Sequence, residues 1–110
     1  MTKDSLIALL INYLRDNISF LGKEDRFLIH ILYRHLITLI LPDRNQNISE
    51  QLPEIISNAV RSFITAKDSD AIKLRTEYEK ILGRKISDEE DNAKIFSLVK
   101  KIMEPESLKK

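Results

Sequence analysis

The chain has 110 residues, of which 18 are basic and 17 acidic, and its formal net charge is +1. That length suits one domain with a single hydrophobic core, so we expect one domain over residues 1–110. The balanced charge excludes a whole-chain field that would attract nucleic acid. Cysteine is absent, which excludes disulfides and thiolate sites and agrees with the cytoplasmic location expected by default.

Hydrophobic residues are concentrated near the N-terminus. Residues 1–41 hold 23 hydrophobic side chains but only 9 charged ones. The longest apolar run, 27–41, is shorter than the roughly 20 residues that span a bilayer, and it contains an arginine and two histidines. We therefore expect soluble helices in this region and no membrane partner.

Two helices are predicted in that apolar region. The first runs from about residue 3 or 4 to 20, and Gly22 stops it. The second runs over 23–41, because Pro42 disfavours a helical residue before it. The short turn between them predicts an antiparallel hairpin over residues 4–41.

Three amphipathic helices are predicted after a polar loop at 42–47. The third helix begins at Ser49 or Leu52, and the fourth begins at Asp68 or Ser69 and ends at Gly83. The fifth begins with the capping box Ser87-Asp88-Glu89-Glu90 and ends at Pro105, so that about 105–110 is a frayed tail. The predicted fold is an all-α, compact bundle of about five helices with an N-terminal hydrophobic helical hairpin.

A polar stripe crosses the second helix, because Arg26, His30, Arg34 and Thr38 recur every four residues. Two interpretations stay open. The stripe is a solvent face paired with nearby acids, which we favour, or it binds phosphates or a partner that carries carboxylates. The candidate phosphate-binding residues are Lys23, Arg26, His30, Arg34 and Arg44.

Other polar features favour structural roles. His35 falls in the apolar arc of the second helix, which predicts a buried, neutral imidazole, and too few ligands accompany it for a metal site. The run 88–91 is acidic because acids stabilise a helix start. Neither a nucleophile motif nor a glycine-rich phosphate loop is present. We expect no enzymatic activity, cofactor, metal or small-molecule substrate.

The hairpin has more apolar surface than a small bundle needs, which predicts a partner. We expect a non-enzymatic interaction module, a small helical subunit or adaptor that forms a homodimer or joins a larger complex. The predicted interface residues are Phe27, His30, Arg34, Ile37 and Leu41. The alternative is a helical nucleic-acid-associated subunit, such as a ribonucleoprotein component, that uses the polar stripe on phosphates.

Overall fold

The computed structural model describes residues 1–103, which form five α-helices, one 3₁₀ turn and no strand. The predicted all-α, compact bundle is confirmed. The predicted helix end at Pro105 and the predicted frayed tail lie outside the described residues. The elements are α1 (Lys3–Asn17), α2 (Lys23–Thr38), a 3₁₀ turn (Ser49–Gln51), α3 (Leu52–Thr65), α4 (Ser69–Leu82) and α5 (Asp88–Met103).

Helix α2 is the centre of the bundle. It packs against α1, α3, α4 and α5, so most of its circumference meets another helix. Leu28, Ile31, Leu32 and Leu36 are almost completely buried along it. Much of the apolar run at 27–41 is therefore explained by the core of one subunit.

Helix α1 lies at the periphery of the bundle. Only Leu6 and Leu10, one turn apart, are fully buried on it. Ile7 and Leu14 are half-buried beside them, whereas Ile11 and Ile18 are exposed. Because the apolar arc of α1 is wider than the surface it buries, part of that arc faces solvent.

Helix α1 ends earlier than predicted. The predicted end at Phe20 is wrong, since the last helical residue is Asn17. The Asn17 side-chain amide donates to the Tyr13 carbonyl at 2.9 Å, and the Asn17 carbonyl accepts from the backbone N–H groups of Phe20 and Leu21. These bonds close a turn over 18–20, which places Phe20 outside the helix.

Helix α2 also ends three residues before its predicted end at Leu41. The Thr38 hydroxyl donates to the His35 carbonyl at 2.9 Å, and Lys3 Nζ donates to the Leu39 carbonyl at 2.9 Å. Leu39 is extended, with ψ 123°. In the segment 39–41 Leu39 and Leu41 are half-buried and Ile40 is exposed, because side chains alternate sides along an extended backbone.

The predicted cap and end of α4 are confirmed, and the predicted capping box of α5 is formed in part. Asp68 caps α4 by accepting from the Ala71 N–H at 3.2 Å, and Gly83 ends it with φ 72°. At the start of α5 the Ser87 hydroxyl accepts from the Glu90 N–H at 3.4 Å. The reciprocal bond of the capping box differs, because the Ser87 N–H donates to Asp91 rather than to Glu90.

Arg75 of α4 closes the end of α3. Its Nη1 lies within hydrogen-bonding distance of the carbonyl oxygens of Phe63, Ile64 and Ala66, at 2.7, 2.9 and 3.0 Å. A cation at a helix C-terminus is stabilised by the helix dipole. Arg75 therefore joins α3 to α4 through backbone groups.

Candidate interaction surface on the helical hairpin

Exposed large hydrophobic side chains are concentrated in the hairpin, residues 4–41. Within the described residues, six of them lie between Leu9 and Ile40 and only two lie elsewhere. Those in the hairpin are Leu9, Ile11, Ile18, Phe20, Ile37 and Ile40, and the other two are Ile72 and Ile81. The apolar excess of the N-terminal region is therefore present at the surface of the folded subunit.

The two most exposed of these residues are Phe20, at 88% exposure, and Ile40, at 91%. Each lies just beyond the end of a hairpin helix, in a segment that the sequence pattern had placed inside that helix. Lys3 holds the Leu39 carbonyl, so Ile40 lies near the start of α1, whereas Phe20 follows the end of α1. The two side chains are thus at opposite ends of α1.

An apolar groove runs between α1 and α2. Its volume is about 410 Å³, and its apolar lining comes from Leu10, Ile11, Leu14, Ile18, Ile29 and Tyr33. Arg26 and His30, both exposed, also line it. The groove makes the exposed Ile11 and Ile18 part of one continuous apolar surface, which we call the hairpin groove.

The predicted interface residues have unequal exposure. Ile37 is 53% exposed, whereas Phe27 and Leu41 are half-buried and pack against the core. The Phe27 ring lies 5.5 Å, centroid to centroid, from the fully buried Tyr78. Phe27 and Leu41 thus spend part of their side-chain surface on packing within the chain. Phe20 and Ile40, which the sequence analysis missed, have far more surface exposed to a partner.

The candidate phosphate-binding residues do not converge on one site. Arg34 forms an ion pair with Asp68, and Arg44 pairs with Asp4 at 3.5 Å. Arg44 therefore lies beside the first turn of α1, whereas Arg26 lies near its opposite end, across the hairpin groove from Ile18. Lys23 and Arg26 line one cleft together with Lys80 and the carboxylate of Glu77, so two of the five candidates do share a basic cleft.

His30 adds little positive charge to that group. Burial of part of the ring lowers the pKa of the imidazole, and the charge of Arg34 lowers the pKa further. The ring is therefore neutral at neutral pH. A neutral imidazole next to an arginine that is already paired makes a weak phosphate site.

His35 is not buried in the core as predicted. It is half-buried and lines an open cleft between α2 and α3, together with Ile37, Ala59, Ser62 and Phe63. This partial burial lowers the pKa of the imidazole. Ile31 and Leu36, on the same helix, are almost completely buried, so His35 lies at the edge of the buried face of α2.

Comparison of the chain with protein-family models, with curated proteins and with solved structures gives no match. Within residues 1–103, no group of His, Asp or Glu residues is placed to hold a metal ion. None of the helices described is long and apolar enough to cross a membrane.

The sequence analysis also missed a polar cluster of Tyr78, Arg84, Ser87 and Asp91, in which Tyr78 and Asp91 are fully buried and Arg84 and Ser87 are partly exposed. The Asp91 carboxylate is fully buried and accepts hydrogen bonds from the Tyr78 hydroxyl at 3.0 Å and from the Ser87 N–H at 2.7 Å. It also accepts from Nη1 and Nη2 of Arg84, each at 3.2 Å. Burial alone would raise the pKa of this carboxyl. The hydrogen bonds outweigh burial, so the pKa is lowered and the carboxylate stays ionised.

The position of Asp91 could have been inferred from periodicity. Asp91, Ile95, Leu98 and Ile102 follow at spacings of four, three and four residues, so the carboxylate is in line with the apolar face of α5. Burial and the charge of Asp91 together raise the pKa of the Tyr78 hydroxyl. Each buried polar side-chain atom in the described residues has a hydrogen-bond partner, which marks this cluster as a structural anchor.

Proposed function

We propose that this chain is a non-enzymatic protein–protein interaction module that assembles through the helical hairpin, as a homodimer or within a larger complex. The observation that carries the proposal is the distribution of exposed hydrophobic side chains, six in the hairpin against two in the rest of the described residues. Scattered apolar residues are normal on a protein surface, whereas a contiguous patch favours a contact site.

Two of the six, Ile11 and Ile18, are made contiguous by the hairpin groove. Ile11 and Ile18 border a cleft whose floor is formed by Leu10, Leu14 and Ile29. Apolar surface of this kind contributes about 25 cal/mol for each Å² that a partner removes from water. Self-association is the favoured form of assembly, since two-fold homodimers are the commonest way for a soluble chain to bury such a surface.

A role on nucleic acid has less support. Arg34 and Arg44 are paired with Asp68 and Asp4, and His30 is neutral at neutral pH. Tight binding to single- or double-stranded nucleic acid at low salt would instead favour that role. In that case the slope of log affinity against log salt concentration should fall in magnitude by about one in Arg26→Ala.

The test compares two isoleucines of equal exposure. Ile11, in the hairpin groove, is 45% exposed, and Ile72, on α4, is 44% exposed. Light scattering after size exclusion, over concentrations up to roughly 1 mM, measures the mass of each variant. We expect the wild type and Ile72→Asp to self-associate and Ile11→Asp to be monomeric. If the wild type stays monomeric throughout, or both variants behave alike, the hairpin groove is not a self-association surface.

A further inference from the structure

Resting on the proposed function, we propose that two copies of the chain pair through α1, antiparallel across a two-fold axis, with Phe20 of each copy placed beside Ile40 of the other. The occupant of this face is thus a second copy of the chain. The observations behind it are the order of charges along α1 and the position of the two most exposed hydrophobic side chains.

The solvent side of α1 carries a self-complementary row of residues. Asp4, Ala8, Ile11 and Arg15 follow at spacings of four, three and four residues, so they lie on one face, and all four are exposed. We call this row the α1 stripe. It begins with a carboxylate and ends with a guanidinium, with an apolar centre between them.

In an antiparallel pair, the α1 stripe of one copy is complementary to the α1 stripe of the second copy. With the two-fold axis between residues 9 and 10, Asp4 of one copy meets Arg15 of the second, and Ala8 meets Ile11. Each contact occurs twice, because a two-fold interface is isologous. The small Ala8 opposite the larger Ile11 allows the helix axes to approach to the usual 8–10 Å.

The ends of α1 supply a second match. Phe20 lies just past its C-terminal end, and Ile40 lies near its N-terminal end, roughly 20 Å away along a helix of this length. An antiparallel pairing therefore brings Phe20 to the Ile40 end of the second copy, at both ends of the interface. A parallel pairing would place Asp4 against Asp4 and leave Phe20 and Ile40 apart.

The ion pairs already present within one copy do not compete strongly with the proposed Asp4–Arg15 contacts between copies. Asp4 pairs with Arg44 at 3.5 Å and Arg15 with Asp16 at 3.3 Å, and all four side chains are well exposed. Pairs of this kind contribute little in water and exchange partners readily. Asp4 and Arg15 are thus available to a second copy.

The area of contact sets the expected strength. One helix face buries less than the roughly 1,200 Å² of a stable interface, so the Phe20 and Ile40 contacts are needed to complete it. We therefore expect a reversible dimer with a dissociation constant in the micromolar range.

Charge reversal with rescue tests the pairing. Arg15→Glu and Asp4→Lys each place like charges together twice, and we expect each to weaken dimerisation by at least roughly tenfold. The double variant Asp4→Lys with Arg15→Glu restores opposite charges, so we expect recovery to within about threefold of the wild-type dissociation constant. Asp70→Lys is the matched control and leaves dimerisation unchanged, because Asp70 is an exposed first-turn aspartate like Asp4 but lies on α4, away from the paired face.

A crosslink provides a readout that does not depend on helix stability. The chain contains no cysteine, so single cysteines are unambiguous. Under oxidation, Phe20→Cys mixed with Ile40→Cys should give a mixed disulfide dimer, whereas Phe20→Cys alone and Phe20→Cys mixed with Ile72→Cys should not.

The outcomes separate the two proposals. A wild-type dimer that resists both single reversals, or in which the double variant is no better than the single ones, overturns the α1 pairing and leaves assembly through the hairpin standing. Dimerisation lost in Arg15→Glu and regained in the double variant, together with the mixed disulfide, supports the antiparallel pair. A wild type that is monomeric at all concentrations overturns self-association itself.

Discussion

Two regions of the chain break the usual rule of an apolar interior and a polar surface, in opposite ways. The corner between α4 and α5 buries a charged group, and the hairpin exposes hydrophobic ones. In the corner, the Asp91 carboxylate is buried and receives hydrogen bonds from Tyr78, Arg84 and Ser87. In the hairpin, Phe20 and Ile40 are almost fully exposed. The corner satisfies its buried charge within the chain, whereas the hairpin leaves apolar surface that the rest of the chain does not cover.

That difference separates residues whose substitution lowers stability from residues whose substitution tests the proposed assembly. Removing a partner from the polar cluster around Asp91 leaves polar groups unpaired inside the fold, so the free energy of unfolding falls. Removing an exposed hydrophobic side chain from the hairpin changes the free energy of unfolding little, so its main effect would be on the proposed assembly.

The largest contrast is expected between adjacent residues on α1. Leu10 is 1% exposed, and burying the charge of Leu10→Asp costs several kcal/mol, comparable with the total stability of a small domain. We expect Leu10→Asp to abolish folding and Ile11→Asp to keep the wild-type helical signal in circular dichroism. Equal loss of helix in both variants would make Ile11 part of the core.

The next largest effect is expected at the buried carboxylate. Asp91→Ala leaves the Tyr78 hydroxyl, the Ser87 N–H and Arg84 without their shared acceptor, so we expect the free energy of unfolding in urea to fall by about 3 kcal/mol. Asp88→Ala is the control, since Asp88 pairs with Arg61 at the surface and should cost no more than about 1 kcal/mol. Similar losses in both would show that the acidic run acts only through the helix dipole.

A smaller effect is expected when one donor is removed from that cluster. Tyr78→Phe deletes one of the hydrogen bonds to Asp91 and keeps the ring that packs against Phe27, so we expect a loss of about 1 kcal/mol. Thermal or urea unfolding measures it. Combined with Asp91→Ala, the second substitution should add less than its separate cost, because the two groups share one interaction.

The smallest effect is expected from the histidines. The pKa values of His30 and His35 lie below the ordinary 6.5, so the unfolded chain takes up protons first as the pH falls. Stability is therefore complete above about pH 6.5 and declines as the pH falls through the folded-state pKa values. Urea unfolding at about pH 7.5 and about pH 5.5 should show this slope, and the double variant His30→Gln with His35→Gln should lack it.

Helix signals that depend on neighbouring residues were readable from the sequence. Asp68 and Ser87 each cap a helix because their side-chain oxygens reach backbone N–H groups three residues on, and Gly83 adopts the left-handed conformation that suits glycine. None of these depends on the rest of the fold. The all-α class followed from the same local rules and from the scarcity of glycine and proline.

Features that depend on distant residues were not readable in this way. Helix α2 ends early where Lys3, 36 residues away in sequence, holds the Leu39 carbonyl, and no local pattern reports that bond. His35 is half-buried because it lines an open cleft between α2 and α3, and the periodicity of α2 alone does not report where packing against another helix leaves a cleft. Helical periodicity could have placed Asp91 on the buried face of α5. The sequence analysis instead interpreted Asp91 only as one of the acids that stabilise a helix start.

The candidate interface also has one part that was readable from the sequence and one part that was not. The sequence by itself determined that the N-terminal hairpin holds an excess of apolar side chains, because composition and helical periodicity depend only on residue order. Only the tertiary structure decided which of them are left exposed. Exposure depends on which helices pack together, and α2 became the buried centre while the ends of the hairpin left Phe20 and Ile40 facing water.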